Sequence, residues 1–191
     1  TFSLGGGAVD LGASPTAQFD AAGINQAWNP PGGAAILDRT DFVTARVTLS
    51  ADATGTWKFL VSSGGEMQTY EGPVSDGQIR PEPLEAPSDF SMAPVDNSGG
   101  GDAVEGFVTQ DLSVDFDGRW TGCQLLVELD TGSIYQDAAG GVTPPTDFIV
   151  GLVPSAAFDT FVAAGGATSG TSETFSLGGG AVDLGASPTA Q

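Results

Sequence analysis

The chain has 191 residues, with 24 acidic side chains against 5 basic ones, no histidine, one cysteine and a formal charge of −19. Such a surface excludes nucleic acid and anionic membranes as partners, because both are bound through clustered cations, and the missing histidine excludes Ser-His-Asp and Cys-His catalysis. No apolar run reaches the roughly 20 residues that a spanning helix needs, and no charged-then-apolar leader opens the chain, as expected of mature exported material.

Residues 1–18 (TFSLGGGAVDLGASPTAQ) recur without change as residues 174–191. A fixed period marks a repeat architecture, here one 173-residue unit followed by the opening of another. Within each copy, apolar residues skip one position, as in a strand: Phe2 and Leu4, then Val9 and Leu11, matched by Phe175 and Leu177, then Val182 and Leu184. Each copy is therefore a candidate linking strand that completes a sheet in its own unit or in a neighbour, by β-augmentation.

Residues 1–80 form a first β portion. Trp28, followed by Asn29-Pro30-Pro31, is a candidate aromatic platform for carbohydrate, with a core position as the alternative. Val43, Ala45, Val47 and Leu49 alternate with polar residues, and Trp57, Phe59 and Val61 do the same. The Ser50–Gly55 turn between them predicts a hairpin over residues 42–62. Lys58, the only lysine, lies opposite the Trp57 face and reads as a guard on an exposed strand. Asp76-Gly77 reads as a turn. Residues 81–102 carry four prolines and a triple glycine and read as a linker.

Residues 103–173 form a second β portion, which with a copy of residues 1–80 could make one sandwich. Leu112, Val114 and Phe116 predict a strand, Asp117-Gly118 a turn, and Trp120–Leu129 a returning strand with Cys123 in the core. The fold class expected is an all-β antiparallel sandwich, jelly-roll or immunoglobulin-like, completed by a strand of the duplicated segment.

Trp120-x-Gly122 to Leu125, Leu129-x-x-Gly132-x-x-Tyr135-Gln136-Asp137, Pro144-Pro145, and Pro154-Ser155 to Phe158-Asp159-Thr160-Phe161-Val162 together resemble a β-rich domain of secreted planctomycete-type exoproteins. The resemblance implies secretion and a β-sandwich. Its motifs are structural, so no functional residue carries over.

Asp96, Asn97, Ser98, Asp102 and Glu105 crowd oxygen ligands into a glycine-rich loop and make it a candidate Ca²⁺ site, with a flexible acidic linker as the alternative; Asp115, Asp117 and Asp159 are a second choice. Paired carboxylates at Asp115 and Asp117, or at Glu66 and Glu71, are what a glycosidase would use. Among 24 acids such pairs arise by chance, and no catalytic residue is assigned. The function expected is an extracellular structural protein whose partners are copies of itself, end to end, without a required cofactor. The alternative is a calcium-dependent adhesin or carbohydrate-binding module.

Overall fold

The computed structural model describes residues 18–32, 35–81 and 89–178. Ten strands build one antiparallel sheet: β1 (Gln18–Phe19), β2 (Gly23–Asn29), β3 (Ile36–Ser50), β4 (Thr54–Ser63), β5 (Glu66–Ser75), β6 (Gln78–Ile79), β7 (Phe90–Val95), β8 (Phe107–Thr131), β9 (Phe161–Val162) and β10 (Ser176–Gly178). One short helix, α1 (Asp147–Leu152), is capped by the Thr146 hydroxyl, which accepts from the Ile149 amide.

β8 organises the rest. On one flank it pairs with β3 from Phe107 to Trp120 and then with β2 from Cys123 to Glu128. On the other flank β7 covers Thr109–Val114 and β4 covers Trp120–Thr131. Phe90 faces Val114 and Phe59 faces Leu125, eleven residues further along β8. A straight strand would hold those pairs roughly 36 Å apart, yet the two rings lie 5.7 Å from each other. β8 therefore bends, and its two halves enclose one core in a sandwich-like, all-β fold.

Gly118 lies in that strand at φ 78°, with Asp38 (φ 41°) and Asp41 (φ 51°) on the facing, bulged strand β3. The Gly118 amide donates to Asp38 Oδ1 at 2.6 Å, and the Asp41 amide to Asp115 Oδ1 at 2.7 Å. Asp117-Gly118 is thus a bend within one strand, and the hairpin expected there does not form. Two flanking partners on each half keep the chain extended through the bend.

The hairpin expected over residues 42–62 is also corrected. Both strands exist, but β3 pairs with β8 and β9, whereas β4 pairs with β8 and β5. Ser50–Ala53 carries the chain from one half of β8 to the other. The hairpins that do form turn on pairs of positive-φ residues, Gly64-Gly65 between β4 and β5 and Asp76-Gly77 between β5 and β6, the backbone that two-residue turns demand. Lys58 consequently stands on an interior strand, beside Glu71 at 3.5 Å.

The stretch 81–102 does not separate two domains. Its residues Phe90–Val95 are β7, an edge strand that tolerates Pro94 because it pairs with β8 alone. Phe90 stacks on Tyr70 at 4.5 Å and on Trp57 at 5.6 Å. Residues 18–80 and 103–173 of the same chain share one sheet through β8.

A Cβ at residue 118 would lie 2.8 Å from the Gly64 Cα, on a backbone that β-branched residues avoid. Gly118→Val is expected to cost about 2–4 kcal/mol, combining backbone strain with the clash. Urea unfolding followed by tryptophan fluorescence measures it; an unchanged midpoint would contradict the role given to the bend.

Candidate strand-linkage site

β2 has β8 on its inner side. Its outer side is occupied by two short segments in line with each other. β10 pairs through Ser176↔Asn29, Leu177↔Trp28 and Gly178↔Ala27, and β1 pairs through Gln18↔Asn25 and Phe19↔Ile24. The opening of the second sequence copy and the final residue of the first therefore share one edge. A single register position, opposite Gln26, separates them.

The alternation read from the sequence is visible at this edge. Phe175 and Leu177 are half-buried against the core, while Thr174 and Ser176 are exposed. Of the other strand-linkage residues, Phe2, Leu4, Val9, Leu11, Val182 and Leu184 lie outside the described residues. The approach to β10 is fixed by Glu173, whose amide donates to the Ala164 carbonyl at 2.7 Å and whose carboxylate accepts from Arg39 at 2.8 Å.

Gln26 was not legible as a site residue. It is completely buried, and its Nε2 donates to the Gly178 carbonyl at 2.8 Å and to the Ala27 carbonyl at 2.7 Å. Among the described residues its Oε1 has no partner. A buried amide aimed at main chain is costly unless both its ends are used, so Gln26 is a clamp for whatever strand lies beside β2.

Trp28 is not a ligand platform. It is 1 % exposed, its indole N–H donates to the Ala163 carbonyl at 2.8 Å, and its ring lies 6.2 Å from that of Phe59. The inward face of β2 delivers it to the core, opposite Cys123. That cysteine is fully buried, its thiol is pushed far above its ordinary range by desolvation, and it accepts from the Trp120 indole.

The acidic candidates are spread out. Asp96 Oδ1 accepts from the Ser98 amide, which holds its carboxyl below the ordinary value. Asn97 spends its amide nitrogen on the Phe107 carbonyl. Asp102 and Glu105 are exposed on either side of Val104. Asp115 and Asp117 line a cleft of about 590 Å³ with Arg39, Glu66 and Asp89, whereas Glu71 lines a different one. Among the described residues no three acidic, cysteine or histidine side chains converge as cation ligands.

One carboxylate is unlike the rest. Asp159 is fully buried, and accepts from the amides of Asp137 (2.8 Å), Thr160 (3.0 Å) and Gly141 (2.7 Å), pinning the loop that leads into β9. Desolvation raises its pKa to about 7 against the pull of those donors. The chain matches no family model, no curated protein and no solved structure.

Between about pH 4 and pH 7 the folded chain holds a proton at Asp159 that the unfolded chain has released, so this group's contribution to stability falls as pH rises through that window. Asp159→Asn should be less stable throughout, because an NH₂ then faces amide donors, and should lack that fall. Urea midpoints from pH 4 to pH 8 for both proteins test this; parallel curves would refute the assignment.

Proposed function

We propose that the protein is an extracellular structural protein without catalytic activity, built of β-sandwich units joined end to end by a strand of one repeat seated on the sheet of another. One observation carries the reading. The first residues of the second copy lie on β2, in line with Gln18, the last residue of the first copy. Where one unit follows another, we infer that the residue equivalent to Gln18 takes the same place on the following unit's β2. The segment then begins on one sheet and ends on the next.

Thirteen residue steps separate Gly178 from Gln191. At the reach of an extended chain they hold equivalent β2 strands within about 45 Å of each other. A head-to-tail contact of this kind does not close on itself and generates linear arrays. Secretion is supported by the acidic, glycine-rich, lysine-poor composition and by the resemblance to secreted exoproteins. The binding-module alternative has less to stand on, since Trp28 is inside the core and Asp96 accepts from the nearby Ser98 amide.

Electron microscopy of a chain carrying several successive units should show linear arrays with neighbouring β2 strands no more than about 45 Å apart. Leu177→Asp, placed at every equivalent position, should loosen the spacing, leave each unit folded, and cost about 1–2 kcal/mol of stability from lost apolar burial. Irregular beads from the unmodified chain would overturn the reading.

A further inference from the structure

We propose that the seat on β2 is exchangeable: it accepts Thr1–Gly5 of a second copy of this chain as well as its own Thr174–Gly178, so that chains link by swapping identical strands. This rests on the reading of the protein as an end-to-end array, and it names the partner and the means of assembly. Discrimination between two occupants is a difference of affinities. Here the two occupants have the same sequence, Thr-Phe-Ser-Leu-Gly, so direct contacts cannot tell them apart.

The seat itself recognises main chain. Its contacts are the antiparallel ladder along Ala27–Asn29 and the Gln26 amide on the Gly178 carbonyl, with Phe175 and Leu177 supplying apolar contact on alternate residues. Gln26 Oε1, without a partner among the described residues, lies at the register position that follows Gly178 and precedes Gln18. The residue that follows the five-residue segment is glycine in both copies.

Each chain thus carries one seat of this kind among its described residues and two segments able to fill it. Tethering gives the chain's own segment an effective concentration in the millimolar range, so exchange between chains grows with protein concentration and with any weakening of the resident strand. Glu173, held by Arg39 and by the Ala164 carbonyl, anchors the resident Thr174–Gly178 and strengthens its hold on the seat.

Disulfide trapping in the full chain tests this. Asn29 and Ser176 are directly opposed, so Asn29→Cys with Ser176→Cys should oxidise to a disulfide within one chain, and this reports a folded, seated protein. Asn29→Cys with Ser3→Cys should instead give covalent dimers and a ladder on a non-reducing gel, increasing with concentration. Adding Leu177→Asp to empty the seat should raise the ladder at least fivefold. Cys123, fully buried, stays silent.

The proposal is overturned if the Ser176 pair closes while the Ser3 pair gives no disulfide in either background, since the seat then distinguishes the copies. It is equally overturned if the Ser3 pair closes only within one chain. The array reading fails separately, if the ladder forms but microscopy of successive units shows no regular spacing.

Discussion

Every part of this fold depends on one extended segment serving both layers. The 25 residues of β8 are flanked on each side by two partners in succession, so the ladder of β2, β3, β4 and β7 is a ladder to the same strand. Its inward residues, Leu112, Val114 and Phe116 before the bend and Trp120, Cys123, Leu125 and Val127 after it, are the floor on which the aromatic rings of β4, β5 and β7 stack. The bend needs a residue free of Cβ at Gly118, and it is braced from β3 by Asp38 and Asp41, two aspartates in the left-handed conformation that short polar side chains can adopt. Because β8 turns there, β2 ends as the outer flank of one half, and its far side is open to an added strand.

Strand identity was largely legible, and pairing was not. Alternation marks Val43–Leu49, Trp57–Val61, Leu112–Phe116 and Trp120–Leu129 because each has one face in the core, and that is a local property. Which strand lies beside which depends on the continuity of β8 through Asp117-Gly118, and that dipeptide reads equally as a turn. β5 was missed because only Tyr70 and Val74 point inward along it, although Gly64-Gly65 gave a usable turn signal. Phe90–Val95 was hidden by the prolines around it. Trp28 misled through its neighbours: Asn29-Pro30-Pro31 ends the strand and says nothing of where the preceding side chain points.

The duplicated segment differs from the body in its charge. Residues 174–191 contain one aspartate after Glu173 and no other ionisable side chain, in a chain of formal charge −19. Two such bodies repel one another over the range that salt leaves unscreened. In the proposed array, a nearly neutral strand that binds through main chain would give them a contact that needs no charge complementarity. The rest of the acidic surface would then disfavour sideways association, and the proposed attraction would be confined to one edge.

The direction of β10 has a mechanical consequence. It runs antiparallel to β2, and the hydrogen bonds between antiparallel strands lie across the strand axis. In the proposed array, tension along β10 would act on that axis, and the pairs with Asn29, Trp28 and Ala27 would share the load in shear where a perpendicular pull would peel them one by one. Such a force would pass sideways from β2 into β8, the most heavily partnered strand among the described residues, and the covalent route through Glu173 and the loop before it would lie in parallel with it.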